Sequence, residues 1–117
     1  MADAASFIRR LYERFNGRDI DGVLAFLHDD VVWANGQEGG YLQGRADVRA
    51  YWTRQWAAID PHVEPMEISL GRDGEIVVGI HQTVRDLGGK VLADRKVGHV
   101  FRIEDGLIRR FDIRAIE

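Results

Sequence analysis

The sequence predicts an α+β fold in which three N-terminal helices pack against an antiparallel meander. Apolar residues recur at helical spacing through the first third of the chain, whereas period-two alternation takes over from about His62. Turn signals at 71–74, 87–90 and 104–106 separate the alternating segments. Sequential strands with such short connections are antiparallel neighbours.

Taken in order, Asp3 or Ser6 can cap a first helix whose Ala4, Ile8, Leu11 and Phe15 share one side, and Asn16-Gly17 stops it. Asp19 can cap a shorter second helix with Ile20, Val23, Leu24 and Leu27 inward, ending at Asp29-Asp30. Residues 31–35 read as a strand and 36–40 as a flexible glycine-rich loop. That loop lacks the Lys and the helix-opening Ser/Thr of a phosphate-binding loop. A third helix over about 45–58 buries Val48, Trp52, Trp56 and Ile59, and Asp60-Pro61 terminates it.

The chain has 117 residues, 45% of them hydrophobic and 30% charged, so residues 1–117 are expected to form one soluble domain with its own core. Without cysteine there is no disulfide, thiolate chemistry or Cys-ligated zinc. His28, His62, His81 and His99 show no metal-ligand spacing, so neither a metal nor another cofactor is expected. A net charge of −3 argues against nucleic acid as a partner. No apolar run reaches membrane-spanning length, and the first fifteen residues do not read as a signal peptide. The expected location is therefore cytoplasmic.

The most informative stretch is 90–104. One face carries Val91, Ala93, Val97, Phe101 and Ile103, with Arg95 and His99 among them. A guanidinium and an imidazole turned toward a core cost free energy unless paired, which makes this face a candidate site. A two-residue Gly88-Gly89 turn would place Gln82 opposite Arg95, Ile80 opposite Val97 and Val78 opposite His99. At the next turn, a three-residue loop with a glycine bulge pairs Ile103 with Leu107 and His99 with Phe111, leaving Leu107, Phe111, Ile113 and Ala115 inward. A two-residue Asp105-Gly106 turn would instead set Asp112 against His99, but it drives Arg110 and Arg114 into the core. The bulged turn is preferred for that reason. A five-residue loop at 71–75 would bring Met66, Ile68 and Leu70 to the same face. It would also place Glu64 beside Gln82, giving a Glu64–Gln82–Arg95 polar row.

Asp19-Ile20 opening the second helix, the run from His28 to Trp33, Gly44-Arg45 before the third helix, and His99-Val100-Phe101-Arg102-Ile103 leading into Asp105-Gly106 follow one another in an order that resembles the nuclear transport factor 2-like superfamily. The likeness is to its SnoaL-like and ketosteroid isomerase-like branches and spans nearly the whole chain. It implies a cone-shaped curved sheet wrapped around the helices, an apolar pocket at the open end, and a homodimer through the outer sheet face. Where those isomerases place a catalytic carboxylate this chain has Asn35. Where they have a first-helix tyrosine it has Leu11, with Tyr12 adjacent, and where they have a protonated acid it has His99. Asp112 falls one residue before the last-strand aspartate of related cyclases and epoxide hydrolases.

The reading that follows is a small-molecule enzyme performing proton transfer next to a carbonyl, with a non-catalytic binding domain for a small, partly apolar molecule as the alternative. His99 is the expected acid/base, Arg95 (with Gln82) stabilises negative charge, and Asn35 orients the substrate. Trp33, Trp52, Trp56, Val78, Val97 and Phe111 supply walls, and Glu64 lies at the site or neutralises Arg95.

Overall fold

The computed structural model of the chain describes residues 4–36 and 39–115. The expected cap at Asp3 and the Gln37-Glu38 part of the glycine-rich loop lie outside the described residues. Helix α1 (Ala4–Asn16) buries Ile8, Leu11, Tyr12 and Phe15, an i, i+3, i+4, i+7 stripe. Asn16 ends it and extends its amide to the edge of the sheet, where Nδ2 donates to the Val63 carbonyl (2.8 Å) and Oδ1 accepts from the Val63 N–H (3.0 Å). Helix α2 (Ile20–Leu24) is capped by Asp19, whose carboxylate accepts from the Gly22 N–H at 2.9 Å.

That second helix ends at Leu24 rather than at Asp29-Asp30, and strand β1 (Leu27–Ala34) begins four residues earlier than expected. The cause is tertiary. The Ile108 N–H donates to the Phe26 carbonyl, and β1 then runs parallel to the last strand from Leu27 onward. A short strand β2 (Tyr41–Gln43), too brief to announce itself by alternation, folds back on β1. Helix α3 (Gly44–Ala58) leads directly into β3 (Ile59–Leu70), followed by β4 (Ile76–Asp86), β5 (Val91–Glu104) and β6 (Leu107–Ala115). Together they form a six-stranded sheet in the order β2-β1-β6-β5-β4-β3, with every described pairing antiparallel except β1–β6. The expected meander is present, and the curved sheet lies over the three helices as the α+β reading requires.

Three single-residue bulges decide what faces the helices, because an extra residue reverses the inward–outward alternation beyond it. In β3, Leu70 pairs with Ile76 as expected, but Met66 is inserted between Pro65 and Glu67. Val63 therefore lies opposite Gln82, and Glu64 is turned outward opposite His81. The expected Glu64–Gln82–Arg95 row does not form.

At the β4–β5 connection Asp86 closes the loop on the Lys90 carbonyl (2.8 Å), and its carboxylate accepts from the Gly88 and Lys90 N–H groups, both at 2.9 Å. The loop is thus longer than a two-residue Gly-Gly turn. A bulge at Leu92 offsets the change and restores Gln82 opposite Arg95 and Val78 opposite His99. The β5–β6 turn also differs from the expectation. Asp105 and Gly106 both take positive φ (54° and 80°), the geometry of a two-residue hairpin turn, and Glu104 pairs with Leu107. The Asp112–His99 pairing such a turn would give is then prevented by an extra residue at Arg109. This sets Phe111 opposite Phe101 and Ile113 opposite His99. Phe111 and Ile113 face inward as expected, but Ile108, opposite Ile103, takes the inward place expected of Leu107, and the cross-strand partners are shifted by two residues.

Side chains from α1, β1, α3 and the inner sheet face meet in one core, where Ile8, Leu27, Val31, Val48, Val78, Ile80, Phe101 and Ile108 are fully buried. Removing that much apolar surface from water is the main stabilising contribution to the fold.

Candidate active site

Between α1, α3 and the concave face of the sheet the packing leaves a cavity of about 160 Å³. Most of its wall is apolar or aromatic: Leu11, Phe15, Val23, Val63, Val97, Phe101 and Phe111 line it together with Trp33 and Trp52. Trp33 on β1 stacks on its register partner Phe111 on β6, with ring centroids 4.1 Å apart and planes 23° apart. Across the cavity Phe15 meets Trp52 edge-on at 4.7 Å. Such contacts fix the rings as rigid walls.

His99 is buried in this wall, and its Nδ1 lies 2.6 Å from the Tyr12 hydroxyl. The phenol is the stronger donor of the two, so we assign its proton to this bond. That leaves the imidazole proton on Nε2. Burial pushes the imidazole down to about 3 and raises Tyr12 well above its usual 10. Each shift has the same cause, since the charged form of either group would sit in a poorly solvated site. Both partners are neutral across the physiological range. His99 is therefore a hydrogen-bond donor or acceptor and too weak a base to hold a proton at neutral pH.

Arg95, four residues before His99 on the same face of β5, also lines the cavity, yet it is exposed. It stands at the mouth opposite Gln82, which is part of the lining as well. Among the described residues no carboxylate pairs with it, since Glu64, the expected partner, lies 3.5 Å from His62 on the exposed side of β3.

Several expected site residues stand elsewhere. Asn35 is buried but is not part of the described lining, which its neighbours Ala34 and Gly36 reach. Its backbone instead ties down the loop, donating to the Gly40 carbonyl and accepting from the Gly39 N–H, both at 2.9 Å. Trp56 lies behind Trp52, stacked on it at 5.8 Å with the Arg18 guanidinium over its ring. Val78 is core, with no exposed surface. Asp112 points to the outer face, where it accepts from Tyr41 (2.6 Å) and Arg110 (2.9 Å). Asp112 therefore forms no acid–base dyad with His99.

Tyr12 is the main residue that the sequence reading missed. Extending the Ile8–Leu11–Phe15 stripe to its full i, i+3, i+4, i+7 set includes it. Tyr51 and Val63 also line the cavity, the latter because of the Met66 bulge. Among the described residues no group of three or more His, Cys, Asp or Glu side chains could hold a metal ion. None of the described helices is long and apolar enough to cross a membrane.

A curved six-stranded sheet closed over three helices around a small cavity is the nuclear transport factor 2-like architecture. The sequence matches the SnoaL-like domain over residues 8–111, and the chain belongs to that family. Among solved structures it is similar to a nuclear transport factor 2-like protein of unknown function from Burkholderia pseudomallei. The two are 29% identical over 99% of this chain and 92% of that one, with a TM-score of 0.84. It also shares its fold with TerC co-crystallised with polyporic acid (24% identity, 96% and 90% covered, TM-score 0.81). A third is a Mycobacterium tuberculosis protein in complex with estradiol-17beta-hemisuccinate (21%, 92% and 89%, TM-score 0.78). No curated protein matches the chain.

Proposed function

We propose that the chain holds a small, partly apolar carbonyl compound in this cavity and promotes proton transfer next to the carbonyl, in the manner of an isomerase or cyclase. The observation that carries this reading is the buried Tyr12–His99 hydrogen bond in the cavity wall. Tyr12 fixes the tautomer, so Nε2–H of a neutral imidazole is the donor offered to a carbonyl oxygen. The C–H proton passes to a water molecule at the mouth, since no carboxylate lines the cavity among the described residues and His99 is too weak a base. The preorganised Nε2–H donor stabilises the negative charge left on the carbonyl oxygen. Removing one such donor typically costs about 10²–10³ in rate. Arg95 and Gln82 serve the same charge from the mouth, while Trp33, Trp52, Val97 and Phe111 exclude water.

No carboxylate lines the cavity among the described residues, and that favours a second reading, a binding domain without chemistry. The ring-bearing, oxygenated molecules bound by TerC and the M. tuberculosis protein suit either one. A second copy of the chain on the outer sheet face and a cytoplasmic setting belong to the same proposal. Sedimentation across a concentration series tests the former, and fractionation tests the latter.

The deciding experiment is deuterium uptake from D₂O at the carbons flanking the carbonyl of small cyclic ketones, followed by proton NMR. Catalysis is expected to accelerate exchange in the native protein, with the acceleration lost in His99→Gln. Binding without acceleration selects the second reading. Absence of both binding and exchange across the ketones removes the pocket as a functional site.

A further inference from the structure

Charge and size together narrow the ligand beyond a partly apolar carbonyl compound. Arg95 is the only formally charged side chain among the described lining residues, and it stands at the mouth without a carboxylate partner. The cavity measures about 160 Å³, close to an engineered cavity of about 150 Å³ that accommodates one benzene ring. One ring fills that space, and a fused polycyclic molecule would have to extend through the mouth.

We propose that this pocket takes a single-ring organic anion: the ring fills the hollow and a carboxylate or enolate oxygen meets Arg95 at the mouth. This rests on the cavity being a functional site, as argued above. Gln82 beside the guanidinium adds a second polar contact to the anionic end. A bidentate arginine contact selects a planar anion over its neutral amide analogue by about tenfold or more.

Three probes test it by NMR titration and calorimetry: 4-acetylbenzoate, its neutral analogue 4-acetylbenzamide and estradiol-17β-hemisuccinate. The expected result is that 4-acetylbenzoate binds at least about tenfold more tightly than each of the other two. Arg95→Gln should abolish its preference over the amide. Equal affinity for the benzoate and the benzamide overturns the anionic end. Steroid binding as tight as that of 4-acetylbenzoate overturns the size limit. Binding without either preference leaves the pocket reading intact and removes this inference, whereas absence of binding by all three removes both.

Discussion

Lowering the pH from 8 to 5 is expected to remove about 2 kcal/mol of folding stability through His99 alone. The imidazole titrates at about 3 in the folded chain because burial disfavours its charged form, against an ordinary value of 6.5. A histidine whose folded value is depressed binds its proton more readily in the unfolded state. The stability it permits is therefore complete above 6.5 and falls steadily as the pH drops toward 3. At pH 5 the unfolded chain gains RT ln(1 + 10^1.5), about 2 kcal/mol, while the folded chain gains almost nothing. For a domain of this size that corresponds to a fall in Tm of roughly 8 °C. Tyr12, the hydrogen-bond partner of the ring, is pushed further above its usual 10 and stays neutral throughout. Thermal unfolding of the native protein and His99→Gln, followed by circular dichroism at pH 8, 7, 6 and 5, isolates this contribution, because the other titrating groups are common to both. The native protein should lose about 8 °C more than the variant between pH 8 and 5. Parallel curves would refute a buried, neutral His99.

Tyr12→Phe removes the donor to Nδ1 and leaves a buried acceptor unpaired, with an expected loss of about 1–3 kcal/mol in the urea unfolding free energy. Gly106→Ala places a Cβ at a residue with φ of 80° in the β5–β6 turn, and about 1 kcal/mol of stability should be lost. Asp112→Asn should leave ligand affinity in the cavity unchanged and cost at most about 1 kcal/mol, measured by titration and denaturation in parallel. Burial pulls the Asp112 carboxyl up, but hydrogen bonds from Arg110 and Tyr41 outweigh that and hold it below its usual value. Its small stabilising contribution is consequently present above the ordinary carboxylate value and lost as the pH falls through the lowered one. The difference between the native protein and Asp112→Asn should shrink below about pH 4.

Alternation alone placed Arg95, Val97, His99 and Phe101 on one face of β5, and the expected cross-strand partners Gln82, Ile80 and Val78 are the observed ones. Two departures cancelled there, since the longer loop at residue 86 onward is offset by the Leu92 bulge. At β3 nothing cancelled. The Met66 bulge turned Glu64 out and Val63 in, and with that Arg95 lost its expected partner. No local signal marks Met66 as the extra residue, because a bulge answers to the curvature of the whole sheet and to where both its ends must pair.

The amino-acid order by itself determined the three-helix start, the strands that follow, and the face on which a guanidinium and an imidazole sit. Those are consequences of periodicity and turn chemistry, which act over a few residues. Tertiary structure alone decided that Tyr12 rather than Asp112 meets His99, that Arg95 stands at an open mouth, and that the Asn35 backbone ties down a loop. Each depends on how far elements distant in sequence are offset against one another. A one-residue offset in a strand reverses every side chain beyond it, so the identity of a site partner is a long-range property that local pattern cannot supply.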